Sequence, residues 1–467
     1  MQSISQIDDT PVPTDEHELR RCFTAFDLTL LGIGAIIGAG IFVLTGIAAA
    51  TQAGPAIIFS YVLAGLASGF SALAYAELAS SIGGCGSAYG YAYAGIGQFV
   101  AWIIGWDLLL EYGTDAATIC IGWSGYVQNV LAAFGVTLPK TLVNDPFHGG
   151  IVNLPAIFII FSLASILAAG AKEGARFNNI MVYIKLFIIG LFIILGTLHF
   201  NPANWHPFAP FGFQGVINGA ALIFFAYIGF DAVSTAGDET VNPKRDLPIG
   251  IIASLLICTL IYVIFSGVLT GLTHYSQLNT SSPVATALLN TGHRFAAEII
   301  ALGAIAGLTT TILAMYYGFT RVYLAMARDR LLPKKIAKID AKSRTPRQLI
   351  WATAALIAIT AGFFPITQIA NLVNIGTLAA FIAVCISVIV LRYTQPDMPR
   401  PFKTPWSPVI PLAGIVMCCY LMCNLPRTTW ISFCVWTIMG LVIYFGYSRS
   451  SVKKSLVIPS DEVTVIS

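Results

Sequence analysis

The chain has 467 residues, of which 57% are hydrophobic and only 10% charged, with a mean hydropathy of +0.79. A soluble domain carries roughly 25% charged residues, so this composition points to a polytopic membrane protein, and the net charge of +3 offers no footprint for nucleic acid. The nine cysteines are scattered, with no CxxC pair and no Cys/His cluster at ligand spacing, so neither a metal nor any other cofactor is expected.

Residues 1–26 are polar and lack the apolar core of a cleavable leader, which predicts a cytoplasmic N-terminal tail. Twelve apolar runs follow, at 27–50, 55–80, 97–130, 151–169, 178–198, 214–236, 247–272, 295–325, 348–364, 368–391, 408–424 and 429–447. Each is near the ~20 residues that cross a bilayer. On this map 21 Lys and Arg fall on one side and only Lys140, Arg294 and Arg427 on the other. Nine of the 21 lie from Arg321, near the end of the eighth run, to Arg347, just before the ninth. By the positive-inside rule both termini, including the tail 448–467, are cytoplasmic.

The first run contains L-G-I-G-A-I-I-G-A-G-I-F-V-L-T-G at 31–46. Five glycines in sixteen residues are costly in a plain helix, at about 0.5–1 kcal/mol each relative to Ala. Two readings stand. Either the glycines let helices pack closely, or the backbone unwinds near residues 38–40 to expose N–H groups to a ligand. Unwound backbone is tolerated in a membrane only where protein buries it or a cavity meets it. The sixth run, F-F-A-Y-I-G-F-D-A-V-S-T-A-G-D-E at 224–239, repeats the interruption. Breaks five runs apart are the pattern of two inverted five-helix repeats with a site between them. That favours unwinding. Residues 27–391 are then the transport core, 27–198 and 214–391 its two repeats, and 392–447 two peripheral helices.

Charges inside the runs are few. Lys185 lies within the fifth, seven residues from its start, and either snorkels to the interface or faces inward, where it is a candidate for proton exchange. Asp107, Glu111 and Asp115 share one face of the third run, with Glu111 the most central, and Asp231 lies in the sixth. Glu77 reads as a residue near the end of the second. Gly83, Gly84 and Gly86 suggest a flexible connector before the third run.

These strings, together with N-P-K-R-D-L-P-I-G-I and T-R-V-Y-L-A-M-A-R-D-R-L-L-P, resemble the amino acid–polyamine–organocation superfamily, specifically bacterial members of its cationic amino acid transporter branch. The resemblance covers nearly the whole chain. It implies an alternating-access permease of the cell membrane, with an inverted-repeat core of ten helices. The substrate carboxylate would meet the N–H groups of Gly38, Ala39 and Gly40, and its ammonium the carbonyls of Ile36, Phe225, Ala226 and Ile228. Lys185 matches the lysine that takes a sodium ion's place in proton-coupled relatives. Glu111 and Asp231 match acidic positions, for which gating or proton relay and structural hydrogen bonding both stand. Met315 falls where the family lines the side-chain pocket; a thioether there favours small neutral or apolar amino acids, and ordinary apolar packing is the other reading. The expected partners are a free amino acid, protons and membrane lipid. Exchange of amino acids or polyamines, and carriage of cationic amino acids, are the alternatives. An enzyme is disfavoured, because the six histidines fall in loops or tails.

Overall fold

The computed structural model describes residues 23–82, 88–169, 175–292, 294–333, 336–338, 340 and 345–449. The expected tail up to residue 22, the glycines at 83–86 and the basic residues Lys172, Lys334, Lys335, Lys342 and Arg344 lie outside them, as does the tail beyond 449.

The chain enters α1 (Ala25–Ile36) through a capping box, in which Thr24 Oγ1 accepts from Asp27 N–H and Asp27 Oδ2 accepts from Thr24 N–H. It leaves the helix at Ile37, whose ψ of 100° is extended, and resumes a helical path at Gly40–Leu44, α2 (Thr45–Ala48) and Ala49–Ala53. Long helices then follow in order: α3 (Ile57–Ile82), α5 (Gln98–Ala133), α6 (Leu154–Ala169) and α7 (Ala175–Leu198), with short α4 (Ala88–Gly95) before α5. The second half comprises α8 (Gly212–Ile223), α9 (Pro243–Leu272), short α10 (Pro283–Asn290), α11 (Arg294–Arg328), α12 (Arg347–Phe363), α13 (Ile366–Thr394), α14 (Val409–Cys423) and α15 (Arg427–Ile443). Helix covers most of every apolar run. α4 and α10 were not expected: both are eight residues long and too short to register as spans.

Among the described residues there is no strand, only a parallel bridge between Phe23 and Thr240. Phe23 N–H donates to Glu239 O and Val241 N–H to Phe23 O, both at 3.0 Å, which straps the start of the first run to the end of the sixth. Among the described residues, seven helical stretches are long and apolar enough to cross a bilayer, and four shorter apolar helices accompany them. The first, fourth, ninth and eleventh runs are matched by the shorter helices, and the third, α5, which carries Asp107, Glu111 and Asp115, falls in neither group. The first run is cut into short halves, and its second half is continuous with α3 in the stretch Gly40–Ile82.

Small residues set the helix spacing. A Cβ on Gly303 of α11 would lie 2.3 Å from Ile188 of α7, and one on Gly307 would lie 2.9 Å from Lys185 Cγ. This small-xxx-small pair lets two helices meet at backbone distance. Outward, large apolar side chains such as Phe158, Phe187, Leu256 and Val442 are exposed, as a lipid-facing surface requires. α15 docks on α5 through stacked indoles, Trp106 and Trp436 lying 4.5 Å apart with each Nε1–H donating to the other's carbonyl. Glu77 is buried at the end of α3, where it accepts from Arg392 of α13 at 2.7 and 3.0 Å.

Candidate functional site

Two interruptions face each other in the middle of the fold. In the first, residues 37–39 separate α1 from the resumed helix, so Gly40 already belongs to the second half. A helix end leaves its last carbonyls free and a helix start its first N–H groups. The free acceptors are therefore those of residues 34–37. The N–H groups of Gly38, Ala39 and Gly40 open the second half, with no preceding turn to donate to. In the sixth run, α8 tightens into a 3₁₀ turn at Phe224–Tyr227, Ile228 is extended, and Gly229 takes φ +114° before a second 3₁₀ segment, Phe230–Glu239. The two glycines are dictated by proximity. A Cβ on Gly40 would sit 2.4 Å from Ala226 Cα, and one on Gly229 would sit 2.8 Å from the Ala35 carbonyl carbon.

Lys185 faces inward from α7 and is 1% exposed. Its Nζ donates to Gly34 O at 2.8 Å, Ile37 O at 2.9 Å and Thr311 Oγ1 at 2.7 Å. An ammonium has three N–H groups, and all three are used. Thr311 in turn lies 3.1 Å from Gly307 O and 3.3 Å from Ile37 O, within reach of either as donor. One side chain therefore ties α7 and α11 to the end of α1. Gly307 makes the room: any side chain there would collide with the lysine stem.

The other carbonyls of the first break are met by neutral groups. The Tyr262 hydroxyl of α9 lies 3.0 Å from Ile36 O and 2.9 Å from Ala226 O, bridging the two breaks. Tyr262 packs against Tyr61 and Tyr227 with ring centroids 5.2 and 5.5 Å away. Tyr227 donates to Tyr61 O, and the Tyr61 hydroxyl meets Thr45 Oγ1, which reaches back to Gly40 O. Phe225 O accepts from Ile228 N–H at 3.3 Å, closing the 3₁₀ turn. Asn374 of α13 donates through Nδ2 to Ala221 O and Leu222 O, supporting the end of α8.

Ile36, Ala39, Phe225, Ala226 and Ile228 are all buried within this region, and the structure brings both breaks together with Lys185. Met315 is 2% exposed and lies one turn beyond Thr311 on the same face of α11. Asp231 accepts from Gly229 N–H at 3.1 Å and so caps the sixth break from within. Glu111 and Asp107 lie on α5, where Glu111 interacts electrostatically with Asp231 of the sixth break. Both are buried, and none of their carboxyl oxygens has a hydrogen-bond partner among the described residues. Asp107 approaches α13 closely, where a Cβ on Gly376 would lie 2.9 Å from its Oδ1. A buried carboxylate without a hydrogen-bond partner is costly in its charged form. Sequence reasoning passed over Thr311, Tyr262 and Asn374. The G-A-I-A-G string at 303–307 was the visible signal for the close approach that Lys185 needs.

A family model described as amino acid permease matches residues 23–453. The chain is 48% identical to a Bacillus subtilis (strain 168) protein named methylthioribose transporter, over 92% of this chain and 94% of that one. It is equally 48% identical to the branched-chain amino acid permease BcaP of the same organism, over 94% of this chain and 95% of that protein. A BcaP of Lactococcus lactis subsp. cremoris (strain MG1363) is 37% identical over 94% of this chain and 97% of its own length. These relatives are named as permeases or transporters, not as enzymes.

Proposed function

Because the chain belongs to the amino acid permease family and is an integral membrane protein, we propose that it takes up apolar L-amino acids by proton-coupled, sodium-independent alternating access. The supported size range runs from alanine, which Met315 favours, to the branched-chain amino acids named for two relatives. The proposed frame is twelve spans with both termini cytoplasmic, two inverted repeats at 27–198 and 214–391, and peripheral helices at 392–447. The substrate carboxylate meets the N–H groups of Gly38, Ala39 and Gly40. Its ammonium meets the carbonyls of Ile36, Phe225, Ala226 and Ile228, each of which keeps a lone pair for it beside any bond already made. Met315 bounds the side-chain pocket, while Asp231 and Glu111 act in gating or relay.

The observation that carries this reading is the threefold coordination of the Lys185 ammonium by Gly34 O, Ile37 O and Thr311 Oγ1. A cation occupies the joint between α1 and α11, and it is bonded to the chain, so it cannot diffuse away as a bound ion can. What it can exchange is a proton. The neutral amine keeps two N–H groups and gains a lone pair, so losing the proton either frees one oxygen or turns the Thr311 hydroxyl from acceptor to donor, which takes it from Gly307 O and Ile37 O. That loosens the end of α1 against α11. Proton gain and loss thus become movement of the broken helix.

Uptake into proteoliposomes tests the proposal, using labelled alanine, valine and isoleucine under an inward proton gradient, a sodium gradient, or preloaded amino acid alone. Accumulation driven by protons alone is expected. Dependence on sodium or on preloaded substrate overturns the coupling. A second reading, carriage of a methylthioribose-like thioether sugar, is favoured by one 48% identical relative. Methylthioribose competing with labelled alanine while amino acids do not compete with one another would establish it.

A further inference from the structure

A groove outside the carbonyl cluster runs along the lipid-facing side of α9 and encloses about 580 Å³. Lys244 and Arg245 stand at its head, Ile249, Ala253 and Leu256 run along its floor, and Phe402 forms the opposite wall. Both cations are exposed, and among the described residues neither makes an ion pair. Arg245, Ile249 and Leu256 are spaced four and seven residues apart, so they follow one stripe of the helix. From Arg245 to Leu256 the stripe spans roughly 16 Å at 1.5 Å per residue. The opposite wall is fixed in place. Phe402 N–H donates to Ser80 Oγ at 3.4 Å, and Thr404 N–H donates to Glu77 Oε2 at 2.8 Å, the same carboxylate that Arg392 holds.

We propose that this groove holds one anionic phospholipid of the cytoplasmic leaflet. Its phosphate headgroup lies on Lys244 and Arg245, and one acyl chain lies along Ile249, Ala253 and Leu256 against Phe402. The charge pattern selects this occupant. Two cations without an ion-pair partner at the head match a headgroup anion, and among the described residues no carboxylate lines the groove to oppose it. The floor beneath them is wholly apolar, which suits a lipid tail. Anionic lipid is enriched at the cytoplasmic surface, where it attracts basic groups. The assignment to that leaflet rests on the orientation proposed above. The groove itself does not.

The test is native mass spectrometry of the full chain in detergent, titrated with phosphatidylglycerol and, separately, phosphatidylcholine of matched chains. One saturable phosphatidylglycerol is expected, held roughly tenfold more tightly than phosphatidylcholine, as two basic contacts at a surface would give. Lys244→Gln with Arg245→Gln should bring phosphatidylglycerol down to the phosphatidylcholine level. Ala253→Trp, which fills the floor and keeps both charges, should remove the bound lipid. Equal binding of the two lipids overturns the proposal. So does unchanged binding in the double glutamine variant, whose exposed substitutions leave the packed interior intact, or displacement of the lipid by inorganic phosphate alone. Binding in detergent uses neither orientation nor transport, so its failure leaves the permease reading standing.

Discussion

The chain is broken twice in mid-helix, at residues 37–39 and at 228–229, and the two breaks are closed by different kinds of group. At the first, two carbonyls are held by the Lys185 ammonium, whose third bond goes to Thr311. At the second, every observed bond is from a neutral donor: the Tyr262 hydroxyl to Ala226 O, the Ile228 N–H to Phe225 O and the Gly229 N–H to Asp231. Gly229 holds the chain there at φ +114°. On the proposed reading the Lys185 ammonium is the switch at the first break, whereas the Gly229 turn gives the second its shape, with Asp231 capping it and placed for gating. On the proton-coupled reading proposed above, the first break is the one that moves and the second the one that keeps its shape. The strap between Phe23 and residues 239–241 ties the entry to α1 to the end of the Phe230–Glu239 segment.

The largest effect is expected from Lys185→Ala. It takes the donor from the buried Gly34 carbonyl, at about 1–3 kcal/mol, leaves Ile37 O only the 3.3 Å Thr311 hydroxyl, and removes the group proposed to exchange a proton. Proton-driven accumulation should be lost while facilitated equilibration or exchange persists in folded protein. Accumulation that still follows the pH gradient would end the switch assignment and make the two breaks equivalent.

Gly229→Ala comes next and strikes the second break. The left-handed conformation costs a residue with a side chain about 1–2 kcal/mol, and the added Cβ meets the Ala35 carbonyl carbon at 2.8 Å. A lower thermal midpoint of the purified protein is expected, with reduced uptake of every substrate but unaltered coupling to protons. A shift in the proton-to-substrate ratio would show that the second break takes part in coupling.

Tyr262→Phe sharpens the comparison, since one hydroxyl serves both breaks. The ring contacts with Tyr61 and Tyr227 remain, so the fold should hold. The carbonyls of Ile36 and Ala226 lose their shared donor, worth about 1 kcal/mol. Their aim at the substrate ammonium should slacken, raising KM roughly fivefold at that free energy, with proton coupling unchanged. An unchanged KM would place the ammonium elsewhere.

Much of this arrangement was visible in the sequence for one reason: a membrane interior makes exceptions conspicuous. A single lysine inside an apolar run, or five glycines within sixteen residues, stands out against a background of Ile, Leu and Phe. Tyr262, Thr311 and Asn374 do not stand out, because hydroxyl and amide side chains occur throughout such helices. Which carbonyl each one meets is decided by tertiary approach, as with Tyr262, which bonds residues 36 and 226 from a third helix. The break itself was expected at 38–40 and is found at 37–39, since glycine richness marks a region and not the residue where the ladder ends. The unexpected α4 and α10 owe their existence to packing, Tyr91 and Ala285 each being fully buried.

The smallest effect belongs to Met315→Ser, which touches neither break. Met315 sits one turn from Thr311 on α11, so the same helix that receives the Lys185 ammonium also presents the residue proposed to limit substrate size. Shortening it removes a flexible thioether without removing a charge. One methylene's worth of room alters discrimination by about 1–3 kcal/mol. Alanine uptake should therefore stay within a fewfold of the parent, while uptake of methionine or phenylalanine rises relative to it. Coupling should be unaltered, because Lys185, Thr311 and the two breaks are intact. If larger amino acids are still refused although alanine is carried, Met315 is ordinary packing. Selectivity would then have to come from Phe225, which lies at the sixth break, and shape at that break, not α11, would set the substrate.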